Sequence, residues 1–247
     1  MKIAVINFSG NVGKTTVARH LLAPRIPGAE VIAVESLNAG DTEAQALRGR
    51  QFGELQEYLQ TVESVVVDIG ASNVEDLLTL MRRYQGSQED FDCFVVPTVA
   101  PLKQQQDTIA TLIELSRLGA EGRRVRLLFN MVDGSSPVHL AFAPLLEFVA
   151  QQPIALADTR CHLGINEIYQ RIKGRGADLR SLARDDSDYK AQIAHATTTT
   201  EKLALAHKLA TQRLARGVVP ELNACFAALD LQSCLVREPD EAELPAA

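Results

Sequence analysis

Six short apolar runs rich in β-branched residues recur along the first part of this chain of 247 residues: KIAVINF (2–8), VIAVE (31–35), SVVVDIG (64–70), CFVVP (93–97), VRLLFN (125–130) and PIALAD (153–158). None alternates cleanly between apolar and polar residues. Each therefore reads as a strand covered on both faces, the pattern of a parallel sheet. Parallel neighbours need crossovers, and most of the intervening segments carry helical periodicity. Asn73 stands where it would cap a helix over VEDLLTLMRRY, with Glu75 and Asp76 in the first turn to favour the helix dipole. QQQDTIATLIELSRLG spaces Ile109, Leu112, Ile113 and Leu118 along a near-helical stripe and closes on Gly119, a C-cap residue. The expected fold is α/β, with a doubly wound, mostly parallel sheet.

After about residue 160 the strand signal stops. LGINEIYQRIKGRGADLRSLARDD, YKAQIAHATTTTEKLALAHKLATQRLARG and VPELNACFAALDLQSCLV read as helical, although four consecutive threonines weaken the middle of the second. The expected organisation is a nucleotide-binding core over 1–160, a helical extension packed on it over 161–236, and an acidic, frayed tail over 237–247.

NFSGNVGKTT (7–16) joins the first expected strand to the first expected helix. A phosphate-binding loop works because successive backbone N–H groups, backed by a helix N-terminus, converge on anionic oxygens. Gly13 would let the backbone approach the phosphates, Lys14 would reach the β- and γ-phosphates, and the Thr15 hydroxyl would ligate Mg²⁺. Phe8 occupies the first glycine position of the standard motif, so Gly-Lys-Thr alone carries little weight. A second signal supports it. The run 64–70 ends in Asp68-x-Gly70, the form of a strand-end aspartate that holds the magnesium's water shell, with a glycine behind it to sense the γ-phosphate.

On these residues the chain resembles the ParA/MinD-type ATPases, whose deviant loop reads K-G-G-x-G-K-T-T and lacks the glycine that Phe8 displaces. The likeness runs through VIAVES, VVVDIG, FVVPTVAPLKQQQDTIATL and RLLFNMVD, over about residues 1–160, and is strongest to members serving plasmid stability. The resemblance implies a P-loop NTPase core, ATP and Mg²⁺ as cofactors, a homodimer, and a DNA-binding adaptor protein of a plasmid-stability locus as partner. It implies loop contacts to nucleotide from Ser9, Gly10, Asn11, Val12, Gly13, Lys14, Thr15 and Thr16, metal held by Thr15 and Asp68, and Gly70 as γ-phosphate sensor. Asn130 would hydrogen-bond the base edge and favour adenine, or would simply end a strand; NMVD lacks the lysine of a guanine signature.

Two departures weaken hydrolysis. The family's signature lysine falls at Ser9, and its second acidic motif appears as Glu35-Ser36-Leu37. Glu35 matches the first acid and Leu37 replaces the second. Asp41 and, more weakly, Asn38 are the nearest replacements, although Asp41 is equally readable as a solvated loop residue. Lys14, Glu35, Asp41 and Asp68 are thus the expected catalytic set, for a weak ATPase at most. Lys103 reads as a helix-start residue or, less simply, as part of a dimer face.

A formal net charge of −6 argues against a protein that coats nucleic acid through its overall field. Arg171, Lys173, Arg175, Arg180 and Arg184 nevertheless form a local basic stretch that can give weak, salt-dependent DNA contact or serve as a solvated face. The four cysteines show no C-x-x-C spacing and the five histidines are dispersed, which fits a reducing cytoplasm without a zinc site. No run approaches the roughly 20 apolar residues of a membrane span. The acidic character of the last expected helix argues against an amphipathic membrane anchor.

Overall fold

The computed structural model describes residues 1–34, 42–174, 176 and 178–235, without the side chains of 42–50. Its strands are β1 (Lys2–Val5), β2 (Glu30–Val34), β3 (Val65–Ile69), β4 (Cys93–Thr98), β5 (Val125–Val132) and β6 (His162–Gly164). They form one sheet in the order β2-β3-β1-β4-β5-β6, and every pair is parallel. The crossovers are helical: α1 (Lys14–Thr16), continued as a π-helical stretch Val17–Leu22, α2 (Thr42–Thr61), α3 (Val74–Arg83), α4 (Leu102–Arg117), α5 (Val138–Ala141) and α6 (Ala143–Gln151). The chain then adds α7 (Ile168–Ile172), α8 (Leu179–Arg184), α9 (Tyr189–His195), α10 (Thr199–Leu229) and a 3-10 turn, Leu231–Leu235.

The absence of polar alternation in the strands has a direct structural counterpart. Ala4, Val65, Val67, Phe94, Val96, Leu127 and Phe129 point into one core, where they meet Leu77, Leu78 and Met81 of α3 and Leu112 and Leu115 of α4. Ile3, Val5, Val66, Cys93, Val95 and Leu128 point the other way, against Val17, Ala18, Leu21 and Leu22 and against Val218, Leu222, Cys225 and Leu229 of α10. Consecutive residues of each strand thus serve opposite cores, and each fully buried aliphatic side chain contributes about 1.5–3 kcal/mol. The sheet is flanked by helices on both faces, as a doubly wound fold requires. The second face is covered jointly by the first helix and the C-terminal ones.

Local structure departs from expectation at four places. PIALAD forms no strand; it contributes one bridge, Leu156 to Arg126, and the sixth strand comes later, at His162–Gly164. Asn73 does not cap α3 through its side chain; its amide donates instead to the Val34 carbonyl at 2.7 Å, tying β2 to the turn after β3. The threonine run ends one helix and starts another. The Thr198 hydroxyl accepts from the Glu201 amide at 3.2 Å, an N-cap at the head of α10. From there α10 continues as one helix through Gly217 and Pro220, where two segments were expected. Gly119 does close α4: its φ is +85°, its amide donates to Ser116 and that of Ala120 to Leu115, a Schellman arrangement.

Candidate functional site

The loop between β1 and α1 lies at the carboxyl end of the central strand, where open parallel sheets bind ligands. It is anchored from beneath by Asn7, which is fully buried. Its amide nitrogen donates to the Pro97 carbonyl at 2.9 Å and to Thr108 Oγ1 at 2.8 Å, and its oxygen accepts the Ser9 amide at 2.8 Å. The Phe8 amide donates to Thr111 Oγ1 at 3.0 Å. Thr108 and Thr111 stand one turn apart on α4 and are completely buried, so β4 and α4 together fix the start of the loop. Sequence reasoning missed this support. Its only trace there is two hydroxyl residues interrupting the apolar stripe of α4.

Beyond Ser9 the backbone turns sharply, with positive φ at Asn11 (57°) and Gly13 (85°). Gly10, Asn11 and Thr15 are exposed, whereas Val12 is fully buried. The amides of Gly10, Asn11, Val12 and Gly13 make no hydrogen bond to any described residue. Such a run of amides at a helix start, with left-handed residues within it, has the form of a backbone nest. The Gly13 carbonyl already accepts from Val17 at 2.9 Å, so the loop passes directly into the helix.

Lys14 is 7% exposed, and its ammonium donates to the carbonyls of Asn7 at 3.0 Å and Ser9 at 2.7 Å. Burial lowers its pKa from the ordinary 10.5 to about 8, against the opposing pull of the Asp68 carboxylate. Asp68 is 6% exposed and pairs in register with Val5 of β1 and Ala33 of β2. Lys14 thus lies within electrostatic range of Asp68, beside a loop whose amides have no partner among the described residues. Gly70 lies two residues after Asp68, just past the strand end, its amide donating to the Val34 carbonyl at 3.4 Å; a Cβ there would lie 3.2 Å from the Asn73 amide nitrogen.

Asn130 holds the loop from the opposite side. It is 4% exposed, and its amide nitrogen donates to the Val12 carbonyl at 2.8 Å, so the group expected at a base edge is engaged by the loop. A Cβ on Gly13 would lie 2.2 Å from that nitrogen. The next residue, Met131, has φ of +54° and leaves its side chain beside Gly13, where β5 shifts register against β6.

The Ser9 hydroxyl is turned to the Gly10 carbonyl at 3.4 Å, in a residue only 4% exposed. Thr16 is half-buried in the first turn of α1. Lys103 lies in the first turn of α4 and pairs with Asp107 at 3.7 Å. Glu35, Leu37, Asn38 and Asp41 lie outside the described residues, as do Arg175 and the acidic 237–247 stretch. The basic stretch does not form one helix face. Arg171 is on α7, bridged to Glu167 at 3.7 Å; Lys173 follows it; Arg180 and Arg184 are on α8, which Asp178 caps through the Arg180 and Ser181 amides. Among the described residues no group of three or more His, Cys, Asp or Glu side chains is gathered to hold a metal ion, and no helix is long and apolar enough to cross a membrane.

The arrangement is a glycine-containing loop at the carboxyl edge of a parallel α/β sheet, with a buried lysine and a buried strand-end aspartate beside it. No protein-family model matches the chain, and no curated protein is significantly similar to it.

Proposed function

We propose that this protein is a P-loop nucleotide-binding switch of the ParA/MinD type, taking ATP with Mg²⁺ and serving plasmid stability or partition. The observation that carries the reading is the loop itself, four consecutive amides without a partner among the described residues, next to a buried lysine under the influence of the Asp68 charge. The residues fit a triphosphate. Gly10 to Gly13 would offer backbone donors, and Lys14 would exchange its bonds to Asn7 and Ser9 for phosphate oxygens. Thr15 and Asp68 have the oxygen chemistry that Mg²⁺ prefers. Gly70, bonded to β2 near Asn73, is the group through which γ-phosphate occupancy would reach the neighbouring strand. In this reading the ATP form dimerises in the cytoplasm and a DNA-bound adaptor protein reads it, with weak phosphate contact from Arg171, Lys173, Arg180 and Arg184.

Calorimetry of the purified protein with magnesium and ATP, GTP or ADP tests this directly. Saturable ATP binding, abolished in Lys14→Ala, and ATP-dependent dimerisation by light scattering are expected. Absence of heat with every purine triphosphate overturns it.

A second reading is a nucleotide-occupied scaffold with negligible turnover. It is favoured by the uncharged, inward-turned side chain of Ser9 at the signature lysine position. Tight binding without hydrolysis, with or without DNA and partner, would establish that reading. Stimulated turnover would exclude it.

A further inference from the structure

The helices beyond the sheet enclose a pocket of about 210 Å³ that shares no lining residue with the loop of Gly13 and Lys14. Arg171 and Ile172 of α7, Leu182 of α8 and Tyr189 of α9 line it. From α10 come Lys208 and Gln212, four residues apart and therefore on one face of the helix. The walls are mostly apolar: Ile172 is buried, Leu182 is half-buried, and the Tyr189 ring extends them.

The polar groups of the pocket are unequally engaged. Asp185, the acid on its wall, accepts the Tyr189 hydroxyl at 2.5 Å and the Ser187 amide at 2.9 Å. Gln212 is 4% exposed and donates its amide nitrogen to the Asp185 carbonyl at 2.6 Å, which ties α10 to the end of α8. The Thr211 hydroxyl donates to the His207 carbonyl at 2.9 Å. The cations have less. Arg171 keeps one long contact, 3.7 Å to Glu167, and the exposed Lys208 ammonium pairs with no described residue. The pocket thus joins apolar walls to two cations whose charge the protein offsets only in part.

We propose that this pocket binds a small monocarboxylate with an apolar body, of the medium-chain fatty acid class. The chain would lie against Ile172, Leu182 and Tyr189, and the carboxylate would meet Arg171 and Lys208. A guanidinium fork matches a carboxylate in geometry, and a charge-assisted bond of this kind is among the stronger ones. Size narrows the class. Pockets for drug-sized ligands span about 300–1,000 Å³, so this smaller one suits an acid of about eight carbons and not a nucleotide. A bare inorganic anion would leave the apolar walls in water and forgo their burial. The site goes beyond the nucleotide reading and does not depend on it.

The test titrates octanoate into full-length protein by calorimetry and follows the melting temperature. Saturable one-to-one binding is expected, with a melting temperature that rises with octanoate concentration. Octanol, which lacks the charge, should bind at least about tenfold more weakly, and inorganic phosphate should not displace octanoate. Arg171→Gln combined with Lys208→Gln should weaken octanoate by about tenfold or more and leave octanol unchanged. Lys14→Ala should bind octanoate as wild type does. No saturable heat, equal affinity for octanol, displacement by phosphate, full affinity in the double variant, or loss of binding in Lys14→Ala would each overturn the proposal. If the double variant does not fold, Leu182→Trp, which fills the pocket, decides instead: octanoate binding that survives it is binding elsewhere.

Discussion

Lys14 answers two conflicting demands. Burial disfavours its charge, yet the proposed triphosphate would need an ammonium there, and two loop carbonyls and the Asp68 charge favour it. Its pKa is lowered, so the folded chain releases the proton at about 8 while the unfolded chain keeps it to 10.5. The unfolded state binds more protons between those values. Below that window burial of the ammonium opposes folding in full, and the opposition fades as pH rises through it. In nucleotide-free, metal-free protein, Lys14→Met should therefore be at least as stable as wild type at pH 7. Urea titrations should find its advantage shrinking towards pH 10. Gly13 is constrained by both φ and space. Gly13→Ala is expected to destabilise by about 1–3 kcal/mol through a strained left-handed residue and the displaced Asn130 amide. Asn130→Ala in the same chain should recover part of that loss; a strictly additive double variant would refute the contact. The sequence made Gly13, Lys14 and Asp68 legible because each is written by residue type at a fixed spacing. Asn7, Thr108 and Thr111 were not, since a buried polar network joins residues about 100 positions apart and leaves no local pattern.

At the scale of elements, doubly buried strands were readable because their chemistry is uniform along the run. PIALAD satisfied the same criterion and yet makes only a bridge, because apolar content alone does not specify a ladder. The three-residue β6 is too short for any periodicity to announce. The threonine run was legible as a weak point of the helix, but not as the start of a new one. β-branched residues disfavour a helix interior, but a hydroxyl favours its first position, and only the fold reveals which applies. Thr198→Ala should cost about 1 kcal/mol and speed amide exchange in the first turn of α10, while Thr198→Ser should leave both nearly unchanged. Equal exchange in all three proteins would mean that the cap contributes nothing.

For the whole molecule, the boundary expected near residue 160 separates sequence patterns, whereas the packing crosses it. The sheet gains its last strand beyond that point, and α10 completes the core begun by the first helix, with Arg25 donating to Asn223 at 2.8 Å across the seam. Removing the residues after Gly164 should leave an aggregating product rather than a smaller folded core. Sedimentation and tryptic digestion of that truncation provide the measurement, and a soluble, protease-resistant fragment would disprove it.

That shared core also sets an order of events during synthesis. Ile3, Val5 and Val95 are translated early, but Val218, Leu222 and Leu229, which shield them, leave the ribosome over a hundred residues later. The nascent protein therefore carries a bare greasy wall for most of its production. Folding of that half of the core is expected to wait until α10 has emerged.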